Sequence, residues 1–325
     1  MVAEMSGREA KEVRVVASPY RICPLGAHID HQGGTVSAMT INKGILLGFV
    51  PSYDSQVLLR SGQFKGEVRF SIDEVQLPRD KNSLPTSHEE CSWGNYARGA
   101  LYALQKRKNN LKQGITSFIC GTDGLDSSGL SSSAAVGIAY LLAFESANNL
   151  TVTPLENIEY DRYPTCYLQL TLILGDADAE QFKNLCHLFL CLEAVSELKI
   201  NMEKLEAFPN GEVVNVIEAW ASGNMEEFGK LITASGLSSI KNYECGCEPL
   251  IQMYNILLKA PGVYGARFSG AGFRGCCIAF VDADKALKAE SYIKNEYSKF
   301  QPELASQMNT ETVLICDAGD CARVI

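Results

Sequence analysis

The stretch Gly121-Thr-Asp-Gly-Leu-Asp-Ser-Ser-Gly-Leu-Ser-Ser-Ser133, continued by Ala134-Ala-Val-Gly-Ile-Ala-Tyr-Leu-Leu-Ala-Phe144, organises the rest of the sequence. Its first part is dense in glycine and serine. Its second part has helical length, few β-branched residues and no polar face, which predicts a buried helix. Small residues let backbone amides approach an anion, and the N-terminus of the following helix adds a favourable field. Serine hydroxyls are also suited to magnesium. A Walker loop would end in Gly-Lys-Ser/Thr, and that ending is absent. An ordinary flexible loop with a serine cap uses the same residues, but the abutting apolar helix favours phosphate binding.

Upstream, Val13–Ala17 reads as a strand entering a turn at Ser18-Pro19. Thr35–Ile41 and Ile45–Val50 read as strands joined by the turn-forming triplet Asn42-Lys43-Gly44. Val57–Ile72 continues in β style. Gly94–Lys106 has an apolar stripe that predicts a helix, and Ile115–Cys120 reads as a strand. Downstream, Pro249–Lys259 reads as a helix and Gly265–Ser269 as a strand. A glycine-rich turn then leads to strand Cys276–Val281, helix Ala283–Phe300 and strand Thr312–Cys316. Tyr163 to about Val216 lacks clear turn signals until Pro209-Asn210-Gly211 and carries no recognisable site. Strands and helices mix without a steady βαβ repeat, so the expected class is α+β in two halves.

The 325 residues predict about two domains. With 29 basic and 38 acidic side chains the formal net charge is −9, which argues against a broad footprint on nucleic acid or an anionic membrane. Local arginines and backbone amides remain able to hold a small anion. Ala134–Phe144 is too short to span a bilayer, which needs roughly 20 residues. Met1–Glu12 has the pattern of neither a signal nor a transit peptide. Twelve cysteines without a secretion signal predict reduced thiols in the cytosol. Cys245-Gly-Cys247 and Cys276-Cys277 lack paired zinc spacing, and the four histidines are scattered.

Two further loops carry chemistry. Pro19-Tyr-Arg-Ile-Cys-Pro-Leu-Gly-Ala-His-Ile-Asp-His-Gln-Gly-Gly34 gathers Arg21, His28, Asp30 and His31 among glycines. An Asp can accept two sugar hydroxyls, and an Arg can stabilise charge on an attacking oxygen. A polar turn with a local Arg–Asp ion pair accounts for the same residues. Gly265-Ala-Arg-Phe-Ser-Gly-Ala-Gly-Phe-Arg-Gly-Cys276 contains a literal GxGxxG at Gly270, Gly272 and Gly275. The dinucleotide fingerprint opens a helix, whereas Cys276–Val281 reads as a strand. A glycine turn between strands is the better account, either supporting a nucleotide site or forming a tight hairpin.

The three loops in this order resemble the GHMP kinase superfamily, and within it the galactokinase branch. Arg21–Gly34 resembles the branch's sugar signature, Gly129–Ala134 its phosphate loop and Gly265–Cys276 its third motif. The resemblance implies an N-terminal half like ribosomal protein S5 domain 2, with a left-handed βαβ crossover, and a ferredoxin-like C-terminal half. It also implies MgATP as donor and a sugar's anomeric hydroxyl as acceptor. Carried over by motif, Arg21 would polarise the attacking oxygen, and Ala27, His28, Asp30 and Gly33 would face the sugar. Ser127, Ser128, Gly129, Leu130, Ser131, Ser132, Ser133, Gly270 and Gly272 would hold ATP, with Ser133 also touching magnesium.

Two departures from the galactokinase pattern matter. Galactokinases carry Glu at the position of Ala27, facing the sugar's C6 hydroxyl. Against a C6 carboxylate, two charges roughly 4 Å apart would cost ~4 kcal/mol at an effective dielectric of about 20. Ala27 removes that repulsion. With His31 in place of the usual Tyr, it resembles the galacturonokinase type, whose acceptor is galacturonic acid. The second departure is a loss of resemblance from Tyr163 to about Val216, where the family places a metal-binding Glu and a catalytic Asp. Asp176 and Asp178 are the nearest acidic candidates there, and solvent-exposed turn carboxylates are much the better account of them. The sharp edges of this stretch are those expected of alternative splicing or a misjoined gene model. The expected organisation is a half at 1–162, an atypical segment at 163–216 and a half at 217–325.

Overall fold

The computed structural model describes residues 1–25, 37–76, 92–107, 111–122, 130, 132–154, 156–157, 215, 218–270, 272, 275–307 and 313–325. Strands β1 (Arg14–Leu25) and β2 (Ser37–Pro51) pair antiparallel from Arg14↔Phe49 to Leu25↔Ser37. They form the middle of a six-stranded sheet with β3 (Gln56–Ser61), β4 (Glu67–Ser71), β5 (Ile115–Gly121) and β8 (Arg323–Val324). Its order is β4-β3-β5-β2-β1-β8. Among the described strand pairs only β3–β5 is parallel, because the chain between them passes through α2 (Asn95–Lys106) before returning. A short α1 (Val2–Ser6) opens the chain.

Helices α2 and α3 (Ser132–Asn148) pack on this sheet. As the sequence predicts, α3 is buried: Tyr140, Leu141 and Phe144 are fully enclosed beside Leu101, Leu104, Leu47 and Phe49. Each large side chain so enclosed contributes roughly 1.5–3 kcal/mol. The C-terminal half carries α4 (Met225–Lys241), α5 (Glu248–Leu257), α6 (Ala286–Phe300) and α7 (Pro302–Gln307). Its sheet pairs β6 (Val263–Phe268) with β7 (Cys277–Val281) antiparallel. Tyr254, Phe268, Ile293 and Tyr297 fill its core.

The structure corrects four expectations. Ser18-Pro19 is no turn, since β1 runs on to Leu25. Pro19 is tolerated because the β1–β8 pairing reaches only Val16 and Ala17, and the β1–β2 register shifts beside Pro19. Asn42-Lys43-Gly44 is no turn either; it lies within the continuous β2. Gly44 is there for close approach, because a Cβ would collide with the Ser18 carbonyl and stand 2.6 Å from Pro19 Cα. Asn42 exchanges bonds with Asp317: its backbone N–H donates to the carbonyl at 3.0 Å and its Nδ2 to Oδ2 at 3.2 Å. The Asp317 N–H donates back to Asn42 Oδ1 at 3.2 Å. Residues 313–316 form no strand. The chain instead crosses β2, with Ala318 bridged to Ile41, before β8 joins β1. Finally, α4 was not expected; Asn224 caps it by accepting the Glu227 N–H at 3.2 Å, with Glu226 and Glu227 in its first turn.

Candidate active site

Alternation along the end of β1 sets the site. Tyr20 and Ile22 enter the core of the six-stranded sheet. Arg21 and Cys23 share the opposite face by the period of two, and the β1–β2 register shifts between Ile22 and Leu25. Leu25 packs with Ala219, Phe228 and Ile232 of the C-terminal half. Phe280 of β7 meets Phe228 edge-on, with ring centroids 5.0 Å apart. The end of β1 is therefore where the two halves touch, and four residues before Leu25 lies Arg21. Its side chain is exposed, and its Nη1 donates to Cys23 Sγ at 2.7 Å.

The start of α3 is held beside Arg21. The Arg21 backbone N–H donates to the Leu130 carbonyl at 3.3 Å, so the strand end and the serine-rich loop are tied together directly. Ser132 and Ser133 lie in the first turn of α3, where backbone N–H groups have no partner within the helix. The structure thus brings together Arg21, Leu130, Ser132 and Ser133 among the candidates. Ala27, His28, Asp30, Gly33, Ser127, Ser128, Gly129, Ser131 and Asp176 lie outside the described residues.

Gly270 and Gly272 lie in the connection between β6 and β7, the glycine turn between strands that the sequence suggests. Gly272 has φ 75° and sits against the Phe268 ring and Gly246, whose Cα would stand 2.9 Å from an added Cβ. The Gly272 carbonyl accepts the Cys247 N–H at 2.8 Å. The turn is thus pinned by the loop that leads into α5.

Burial shapes the electrostatics. Arg267 on β6 is 1% exposed. Its Nη1 donates to Ser235 Oγ at 2.8 Å and its Nε to the Phe268 carbonyl at 2.9 Å. Burial pulls its pKa down to about 10, and the nearby Cys23 sulfur acts in the opposite sense, so it is charged at neutral pH. Burial pushes the Cys276 thiol up to about 11, with a Ser269 hydrogen bond opposing, which leaves it protonated and unreactive. The Arg21–Cys23 and Arg267–Ser235 bonds escape sequence reasoning. The one available signal was that Arg267 and Cys23 fall inside the two motif loops.

Among the described residues no group of three or more His, Cys, Asp or Glu side chains can hold a metal. Ser133 is the candidate magnesium contact that the described residues retain. No described helix is long and apolar enough to cross a membrane. Two surface clefts, of about 300 and 260 Å³, are lined by none of the candidate residues.

Residues 216–299 match the family model for the GHMP kinases C terminal. Arabidopsis thaliana galacturonokinase is 54% identical over 408 aligned positions, covering 100% of this chain and 96% of the relative. This chain has 325 residues, so more than eighty of those positions have no counterpart in it. Lactobacillus helveticus galactokinase is 27% identical over 362 positions, 89% of this chain and 90% of the relative. Among solved structures, Lactococcus lactis galactokinase complexed with galactose superposes with a TM-score of 0.76 at 21% identity, covering 99% of this chain and 97% of that one. Methanococcus jannaschii mevalonate kinase gives 0.60 at 18% identity, covering 96% of each chain. With a whole-chain relative at this identity, a C-terminal family match and this shared fold, the chain belongs to the GHMP kinase family.

Proposed function

We propose that the chain is an ATP-dependent sugar 1-kinase that transfers the γ-phosphoryl of MgATP to the anomeric oxygen of galacturonic acid. The observation that carries this reading is the 54% identity with A. thaliana galacturonokinase across the whole chain. The tie between Arg21 and the start of α3 supports it, because phosphoryl transfer is mostly positioning and charge stabilisation. The serine loop Ser127–Ser133 would cradle the phosphates, with Ser133 on the magnesium that arrives with ATP. Gly270 and Gly272 would support the nucleotide end. Asp30 would bind ring hydroxyls, and Arg21 would draw charge from the attacking oxygen. Ala27 would leave room for the C6 carboxylate. The halves 1–162 and 217–325 would each supply part of this site. Twelve cysteines fit a reducing, cytosolic setting.

The test is an ATP-dependent coupled assay comparing galacturonic acid with galactose, with the 1-phosphate identified by mass spectrometry. Preference for galactose would overturn the acceptor assignment. A second reading is a sugar- and ATP-binding protein impaired in turnover. The missing positions favour it, since Asp176 has no motif behind it as a catalytic base. Calorimetric binding of both ligands without product would establish that reading instead.

A further inference from the structure

We propose that Cys23 is a positioning residue for this reaction: its sulfur accepts from Arg21 Nη1 and so aims the guanidinium at the end of β1, where the strand meets the start of α3. The inference rests on the reading above that Arg21 works at the attacking oxygen.

The backbone at Arg21 is fixed on both sides. Tyr20 is fully enclosed, Ile22 is buried, and the Arg21 N–H donates to the Leu130 carbonyl at 3.3 Å. The side chain is exposed, and a long exposed side chain samples many rotamers unless something holds it. A guanidinium that must meet one oxygen loses rate whenever it points elsewhere. Cys23 supplies a hold, with its sulfur 2.7 Å from Nη1. It is itself buried, at 8% exposure, so the sulfur has little freedom of its own. The strand is bulged at this place. Ile22 pairs with Met39 and Leu25 with Ser37, which is three steps along β1 against two along β2. A bulge re-aims side chains and is frequent beside active sites. Pro24, which has no N–H to give to a ladder, falls within it. The acceptor also suits the chemistry. A thiol accepts from a cation without bringing a full negative charge, whereas a carboxylate in its place would offset the charge of Arg21 and repel an anionic sugar acid.

The experiment compares the full chain with Cys23→Ala, Cys23→Val, Cys23→Ser, Arg21→Ala and the Arg21→Ala/Cys23→Ala double variant. Turnover of galacturonic acid, its calorimetric Kd and urea midpoints are measured for each. Cys23→Ala and Cys23→Val both delete the acceptor, one leaving space and the other filling it. Each is expected to lower kcat by about tenfold, the size of one hydrogen bond to a charged group, with the KM for ATP moving less than about threefold. Cys23→Ser keeps an acceptor and should hold kcat within about threefold of the parent. A role in packing alone would instead make activity follow the urea midpoint across the series. In the Arg21→Ala background, Cys23→Ala should cost less than about twofold more, because the group it acts through is gone. If the parent binds the sugar acid without turning it over, the same order is expected in Kd. The proposal fails if Cys23→Ala and Cys23→Val keep kcat and Kd within about threefold of the parent, if Cys23→Ser loses as much as they do, or if the Arg21 and Cys23 losses multiply. An Arg21→Ala variant as active as the parent removes the role of Arg21 and this proposal with it, while leaving the kinase reading. A parent that neither binds nor turns over the sugar acid sinks the kinase reading and this proposal together. Cys23 variants indistinguishable from an active parent sink the proposal alone.

Discussion

Glu145 offers a quantitative prediction. It lies near the end of α3 at 6% exposure, and Asn157, at 8%, donates from Nδ2 to its Oε2 at 3.2 Å. Glu145 Oε1 and Asn157 Oδ1 are both buried without a donor. A proton on Oε1 would supply one, closing a ring with the existing bond. Burial raises the carboxyl from 4.5 to about 7, the Asn157 bond opposes this, and the charge of Glu156 adds to it. The folded state therefore holds this proton across a range where the unfolded chain has released it. Its contribution is intact below about pH 4.5 and is lost as pH rises towards about 7, amounting to about 3 kcal/mol when complete. Glu145→Gln keeps a donor facing Asn157 Oδ1 at every pH. Urea unfolding followed by tryptophan fluorescence should show parent and variant within about 1 kcal/mol at pH 5, with the variant ahead by about 3 kcal/mol at pH 8. A difference that stays flat from pH 5 to 8, or a variant weaker at pH 8, would refute the reasoning.

Three other outcomes follow from described contacts and motifs. Gly44→Ala drives a methyl into the Ser18 carbonyl and should cost about 1–3 kcal/mol in urea unfolding; a parental midpoint would contradict the strand register. Asn42→Ala removes two of the three bonds to Asp317 and should cost about 1–2 kcal/mol. Amide exchange at 317–319 should speed up, and unchanged exchange there would show that Asn42 does not secure that segment. Ala27→Glu should lower kcat/KM for galacturonic acid by up to about a thousandfold, from ~4 kcal/mol of repulsion, while sparing galactose. Equal losses on both sugars would show that the Ala27 argument is wrong.

The elements easiest to read were those whose pattern their own neighbours enforce. An apolar run with no polar face, Ala134–Phe144, has one sensible place, and α3 occupies it. Ile115–Cys120 and Gly94–Lys106 were legible for the same reason. Where reading failed, a distant segment decided the outcome. Asn42-Lys43-Gly44 has turn composition, but Asp317 takes the hydrogen bonds of Asn42, and Ser18 needs the space a side chain would fill at Gly44. No local pattern announces a partner 275 residues away. In the site, the motif loops were visible as glycines and serines. Arg267 looked incidental, because its partner Ser235 lies on α4, a helix the sequence reading did not anticipate. The α4 helix was missed although its cap, Asn224 followed by Glu226 and Glu227, was in plain view.

The closure of the first sheet has a kinetic side. Val16 and Ala17 find their second neighbour in Val324 and Arg323, so one edge of that sheet is supplied from some 300 positions along the chain. Loop-closure entropy must be overcome before that pairing yields anything, which slows folding. Until then β1 presents open backbone groups to any passing strand. The polypeptide must guard this edge throughout the time its second half takes to condense, and that interval is when it is most exposed to misassembly and most reliant on chaperones.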